Sequence, residues 1–374
     1  MLFMLVTSFS QTPNFQNRSE RSDSYVLDYL YTSPLYNRSN YINFTGPPIT
    51  YNDSNTNIYY RILIDDSDPN FNWSKTAAEN EWCTGSGTWS DPYVIENLYI
   101  DAQGFGGGIR IRHSKKYFII QNNWITNTVN EGYGEGVILD WETSNGTVKD
   151  NLFTYTEIGV VIKFDSHNIT VSNNIMIENS APGTRGIYVM MDTHNSTIVD
   201  NKMLNFYSGM RFSYSDTLRI KNNYMDNTIL SFSGGSVVRL KNVSDSFVVG
   251  NILAGNFATG SITISQTDSG NNVVENNYVS TNRSLAFDFN LSFSAIDETP
   301  HQSQTSGTSF ELVGSQNNYI AYNIALMDSP DDNGHDNGTS NGAGAPEIPG
   351  FNPILMLGVI FIVTLILLKK RLRK

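Results

Sequence analysis

The sequence predicts an all-β repeat fold, a single-stranded parallel β-helix of about ten coils with one C-terminal transmembrane helix. Three observations predict the coils: an asparagine that recurs every two dozen or so residues, an aliphatic β-branched residue three positions ahead of each, and a composition rich in Asn, Ser, Thr, Gly and aromatics with only 16% charged residues. The asparagines are Asn97, Asn123, Asn151, Asn174, Asn201, Asn223, Asn251, Asn277 and Asn323, at spacings of 26, 28, 23, 27, 22, 28, 26 and 46 residues. The last step is about twice the others, as one coil near 285–308 without the Asn and with a loop would give. Three residues before each stand Val94, Ile120, Val148, Val171, Ile198, Ile220, Val248, Val274 and Ile320.

A short apolar run follows each asparagine, as in Asn151-Leu152-Phe153, and glycines upstream (Gly108, Gly136, Gly159, Gly186, Gly209, Gly260) each open another strand. One unit is therefore three strands separated by turns. Successive units pairing in parallel about 4.8 Å apart stack the aliphatic residues into a dry interior and the asparagines into a ladder of side-chain amides at a corner. A leucine-rich repeat shares the period, but here its leucine offsets hold Val, Ile, Gly and aromatics, and the unit has no helix-favouring half.

The ends read differently. Residues 1–10 contain a short apolar run, Leu2 to Val6, as a remnant of an export signal. Residues 11–57 are rich in Tyr and Asn-x-Ser/Thr sites without a coil period, a decorated leader, and 58–93 form the N-terminal cap of a β-helix spanning 94–328. Residues 329–348 are polar and Gly-rich, a flexible stalk. Residues 349–368 carry no charge and, at 1.5 Å per residue, reach roughly 30 Å as a helix, one hydrocarbon thickness. Five of the last six residues are Lys or Arg, so the tail 369–374 is expected in the cytoplasm and the β-helix outside, at the cell surface, with the membrane as a partner.

The formal charge is −12, and without the basic tail 19 cationic residues face 36 acidic ones, which argues against nucleic acid as a partner; a polyanionic glycan would need a local basic cleft. Arg110, Arg112, Lys115, Lys116, Arg185, Arg211 and Arg219 are spread over several coils and mark no such cleft in the sequence. The single cysteine, Cys83, excludes an intrachain disulfide and reads as a buried small residue. Twelve Asn-x-Ser/Thr sites (Asn17, Asn37, Asn43, Asn52, Asn72, Asn145, Asn168, Asn195, Asn242, Asn282, Asn290, Asn337) precede the apolar segment and permit glycosylation.

The best chemical candidate is a repeated turn, Asp165-Ser166-His167-Asn168 and, 27 residues on, Asp192-Thr193-His194-Asn195. In register the two stack, bringing two carboxylates and two imidazoles within about 5 Å along one edge, with Asp140, Glu142 and Asp216 nearby. Two close carboxylates suit acid–base work on a glycosidic bond; the same turn also suits an exposed corner or a cation contact. Met190, Met191, Met203, Met210 and Met225 read as core filler rather than copper ligands. Trp141, Tyr155, Tyr188, Tyr207 and Tyr214 would stack on sugars if they shared one outer face.

Once the coils are aligned, the chain over about residues 58–328 resembles the right-handed parallel β-helix proteins with NosD-like repeats, within the pectate-lyase-like superfamily. The most specific stretch is Cys83-Thr-Gly-Ser-Gly-Thr-Trp-Ser-Asp-Pro-Tyr-Val-Ile-Glu-Asn-Leu-Tyr-Ile-Asp101, which looks like the cap of many archaeal surface members. The order of stalk, Pro349-Gly350-Phe351, apolar segment and basic tail resembles archaeal C-terminal sorting signals. The resemblance implies the handedness, but its members include lyases, hydrolases, epimerases, adhesins and a periplasmic factor in copper-centre assembly, so fold does not choose the activity. No cofactor is required, and calcium is the ion the lyases would imply. The expectation is a non-enzymatic envelope protein that adheres or contacts glycans or other envelope proteins. The alternatives are a surface polysaccharide lyase or hydrolase and a metal-handling accessory protein.

Overall fold

The structure is a computed structural model, and the residues it describes are 41–45, 49–53, 56–104, 106–128, 134–178, 183–227, 238–255, 264–267, 270–275, 277–281, 312–313, 319–321 and 324–327. The chain divides into two units, Met1–Pro330 and Asp331–Lys374, the second wholly outside the described residues. Asn323, Gly260, the sequons Asn17, Asn37, Asn282, Asn290 and Asn337, the stalk, Pro349, Gly350, Phe351, the apolar segment and the basic tail also lie outside them. Among the described residues no helix is long and apolar enough to cross a membrane.

The first unit is a parallel β-solenoid. Its strands form three sheets of ten, and within each sheet the neighbours are every third strand of the sequence, the signature of a chain that winds once round three faces per coil. The first coil is Tyr93–Glu96, Leu98–Asp101 and Gly107–Arg112, and the fifth is Thr197–Val199, Lys202–Leu204 and Ser208–Asp216. These five turns are described nearly without interruption, half the number expected from the repeat count, and the ladders continue more sparsely to Ile324–Met327. The pairings between coils are parallel, with a register shift at Met190/Thr193 in the fourth coil, and set for example Ile120 with Val148, Val148 with Val171 and Val171 with Ile198. Those four side chains are fully buried in one column, and Ile125, Phe153, Met176, Met203 and Met225 fill another.

The asparagine ladder runs between the sheet edges, with one correction. Asn123, Asn151, Asn174, Asn201, Asn223, Asn251 and Asn277 are all 0–1% exposed. The N–H and the Nδ2 of each of the first six donate to the Oδ1 of the next at 2.9–3.1 Å, and Nδ2 also reaches a carbonyl of the preceding coil, as Asn174 does to Val148 O at 2.9 Å. Asn97 is not part of it. Pairing sets Ile95, not Val94, beside Ile120, so the ladder position of the first coil is Leu98, whose N–H donates to Asn123 Oδ1 at 3.0 Å. Asn97 sits one place earlier, at φ 63°, beside Asn122, Asp150, Asn173, Asp200, Asn222 and Gly250, all with positive φ. The left-handed corner is thus made by the residue ahead of the ladder asparagine, where Asn, Asp and Gly are the types that tolerate it.

The glycines that open the second-sheet strands are required by close approach. A Cβ on Gly136 would lie 2.6 Å from Gly159 O and 2.5 Å from the Phe153 ring, and one on Gly159 would lie 2.6 Å from both Gly186 O and Met176 Sδ. At the N-terminal end, two strands fall inside the segment expected to be a leader: Ile42–Phe44 pairs in parallel with Leu98–Asp101, and Ile49–Asp53 pairs antiparallel with Thr56–Asp65, which itself joins the second sheet beside Gly107–Arg112. A short helix, Trp73–Glu79, starts at Asn72, whose side chain accepts from Lys75 N at 2.9 Å. Its Trp73 closes the end of the interior, stacked on Tyr93 at 5.0 Å and tilted against Phe118 at 5.3 Å. Cys83 is 2% exposed, and burial pushes its thiol up to about 12, so it is a packing residue.

Candidate functional site

The two Asp-Ser/Thr-His-Asn turns stack on consecutive coils at the corner where the second sheet gives way to the third. Each turn is built the same way. Two residues in succession take positive φ, Phe164 and Asp165 in one coil and Met191 and Asp192 in the next, as do Trp141 and Glu142 one coil earlier. A buried hydroxyl then closes the bend by donating to the carbonyl three residues back: Thr143 to Asp140, Ser166 to Lys163 and Thr193 to Met190, at 2.7–2.8 Å. A third left-handed residue, Asn145, Asn168 or Asn195, ends the corner.

The histidines lie between these fixed points. His167 and His194 are bridged in parallel register, their rings stacked 4.7 Å apart with planes 8° from parallel. Each Nδ1 stands 3.1–3.2 Å from the carbonyl oxygen of the aspartate two residues earlier in its own turn. With the proton on Nδ1 each of these contacts is a hydrogen bond to a carbonyl, and Nε2 is then the ring nitrogen left to act as a ligand. Asp165 Oδ1 is 3.9 Å from His194 Nδ1, with both side chains substantially open to solvent. Asp165, His167 and His194 each place one donor atom within 4.8 Å of the others. Asp192 is exposed in the same corner, and Asp216 pairs with His194 in the next coil, extending the column. Glu142 stands one coil before Asp165 and engages Lys115 at 3.3 Å; Asp140, expected on this edge, is instead buried against Arg110.

Met191 departs from the expectation of core filler. Met203, Met210 and Met225 are fully buried, but Met191 is 38% exposed in the corner next to Asp192, and its backbone carbonyl accepts from Asp165 N at 3.0 Å. The sequence signal was its place one residue ahead of the acidic member of the turn, where the earlier coils carry Trp141 and Phe164, which stack on each other at 4.7 Å.

These donors suit a first-row transition metal by type: imidazole nitrogen and carboxylate oxygen for a divalent ion, with a thioether in the same turn for a softer one. Metal–nitrogen distances near 2.1 Å put opposite ligands at most about 4.2 Å apart, so rotation of exposed side chains by roughly half an ångström closes the set. The sequon asparagines of this corner are themselves a ladder: Asn195 Nδ2 donates to Asn168 Oδ1, Asn168 Nδ2 to Asn145 Oδ1 at 3.5 Å, and Asn145 Nδ2 to Lys115 O at 3.1 Å. Asn242 takes a left-handed position in the same corner two coils beyond Asp192, directly ahead of Val243 in the Thr193–Ser215–Val243 register. The aromatics do not form one strip: Trp141 and Tyr214 are exposed, Tyr188 is held between arginines, and Tyr155 and Tyr207 are half-buried at other corners.

A further cluster ties the N-terminal strand to the first coil. Asp65 accepts from Ser67 N and His113 Nδ1 at 3.0 Å, and Arg112 Nε is 3.5 Å away. Ser67 Oγ and the carboxylate both meet the same imidazole nitrogen, so this is not a hydroxyl–imidazole–carboxylate relay.

Among protein families, the model described as "Periplasmic copper-binding protein (NosD)" matches residues 15–228 and, in an overlapping second alignment, 106–295. No curated protein matches the sequence.

Proposed function

This chain belongs to the NosD family, and from that premise we propose that it is an extracytoplasmic copper-binding β-helix that holds the ion at the His167/His194 corner. The observation that carries the reading is the stacking of two imidazoles on adjacent coils, with one donor atom of each and of the Asp165 carboxylate within 4.8 Å of one another. A bound copper ion would be available for transfer to another extracytoplasmic protein. His167 and His194 would ligate it, Asp165 would supply charge neutralisation, and Met191 would favour the cuprous form. The apolar segment 349–368 and the basic tail support anchoring of a right-handed β-helix at the outer face of a membrane, which keeps the corner outside the cytoplasm.

Titration of the purified full chain with Cu(II), and with Cu(I) under a reducing competitor, tests this. His167→Ala and His194→Ala are each expected to weaken binding by about tenfold to a hundredfold, on the scale of a lost metal contact, with thermal unfolding unchanged because both side chains are partly exposed. Met191→Leu is expected to weaken only the cuprous titration. Undiminished copper affinity in the His167→Ala/His194→Ala double variant would place the ion elsewhere.

A further inference from the structure

Arg185 and Arg211, far apart in the sequence, are brought beside Arg239 and Lys241 by the register of the coils. Tyr188, Arg211 and Arg239 are consecutive partners on the outer face of the second sheet. Arg185, three residues before Tyr188, lies over one part of its ring at 5.1 Å and Arg211 over another at 5.4 Å. Two positions along, Ser213 pairs with Lys241, whose Nζ is 5.8 Å from the half-exposed Tyr214 ring. Four cations and two tyrosines therefore share one face of three adjacent coils, in a protein whose net charge is −12.

What makes this face unusual is the absence of counter-charge. Among the described residues, Arg185, Arg211 and Arg239 have no ion pair, whereas Arg110 and Arg112 on the same sheet are matched to Asp140 and Asp65. Burial, and next the Arg211 charge, hold the Arg185 guanidinium below the usual arginine range, with Tyr188 and Glu157 acting the other way without outweighing them. Arg211 and Arg239 sit directly opposite each other, a like-charge pairing that costs stability on a sheet. The Nε atoms of both, and the hydroxyl of Ser213, 4% exposed and two residues along from Arg211, lack hydrogen-bond partners. A face that keeps unmatched donors and like charges together is complementary to an anion.

We propose that this face binds an acidic polysaccharide, its carboxylates taken by Arg185, Arg211 and Arg239 and a sugar ring laid against Tyr214. Carboxylates are favoured over a polyphosphate chain because the surrounding acidic body repels a dense line of phosphates, while the guanidinium forks of Arg211 and Arg239, one coil apart at about 4.8 Å, match charges carried one per sugar. The site is separate from the histidine corner and stands whether or not copper binds there.

The test uses the full chain with a short oligomannuronate, the neutral oligomannose of the same length, and duplex DNA. Binding of the oligomannuronate alone is expected, weakening with added salt, and Arg211→Gln with Arg239→Gln is expected to lower affinity by about tenfold per arginine. Lys149→Gln, on the third sheet, is expected to leave it unchanged. The same double variant, free of ligand, is expected to melt no lower than the parent, because it relieves repulsion and breaks no ion pair. Oligomannuronate affinity equal in parent and double variant, or DNA binding with the same arginine dependence, would overturn the proposal.

Discussion

A backbone amide sealed within the coil stack needs an acceptor, and here a side-chain amide supplies one per coil. Each ladder asparagine satisfies two donors of its neighbour with one oxygen, so its loss strands a buried N–H, at about 1–3 kcal/mol, in addition to the hydrogen bonds its own Nδ2 gave. Asn174→Leu is accordingly expected to destabilise by ~2–4 kcal/mol in chemical denaturation. Asn97→Gly is expected to shift stability by no more than about 0.5 kcal/mol, since glycine accepts a left-handed backbone without strain. A large loss at Asn97 and a small one at Asn174 would mean the ladder begins where the plain repeat places it. The contrast also marks the limit of the sequence at this scale. Asn97 stands 26 residues before Asn123 with Val94 three ahead of it, and so satisfies the same pattern; only the pairing of Ile95 with Ile120 shows that the first coil is one residue out of phase.

Elements are joined by local chemistry that the period does not describe. The strand Thr56–Asp65 straddles the boundary drawn between leader and cap and was not legible as a member of the second sheet, because it precedes the first repeat and its Asp65 meets His113 and Arg112 nearly fifty residues away. Burial tends to raise the Asp65 carboxyl, yet hydrogen bonds from Ser67 and His113 and the charge of Arg112 outweigh it and hold the group below the ordinary aspartate value. A carboxyl depressed on folding contributes stability that is present above its unfolded value, near 3.8, and is lost as pH falls through the folded one. Asp65→Asn is therefore expected to be less stable than the parent at neutral pH and to lack that part of the decline in acid, measured by thermal melts from pH 7 downward; parallel curves would remove Asp65 as the lock. The arginine face was hidden for a related reason. Arg185, Arg211 and Arg239 fall 26 and 28 residues apart, but Arg185 pairs with Ser208 and Arg211 with Tyr188, so their meeting depends on where each coil shortens.

At the scale of the molecule, a solenoid is a stack in which each coil is held by its two neighbours, so removing one whole coil should leave the remainder in register. The histidine turns give a natural pair of cut points. Deleting residues 168–194 joins His167 to Asn195, sets the Asn151 ladder position beside Asn201, and brings Val148 against Ile198, a pair the interior already accommodates through Val171. The shortened chain keeps every type of ladder contact and loses one imidazole of the pair. Far-ultraviolet circular dichroism is expected to retain a β-helix spectrum with cooperative melting, at stability lowered by about one coil's share, while copper affinity falls to that of His194→Ala. A cut of about half that length, residues 168–180, removes the third-sheet strand Thr170–Ser172 and the first-sheet strand Ile175–Ile177 but keeps the second-sheet strand of the same coil, so the coils after it fall out of phase, and it is expected to abolish folding. Were both deletions to fold equally well, the stacking of equivalent positions would not be what holds the molecule together, and the histidine corner would have lost the frame that aligns its two rings.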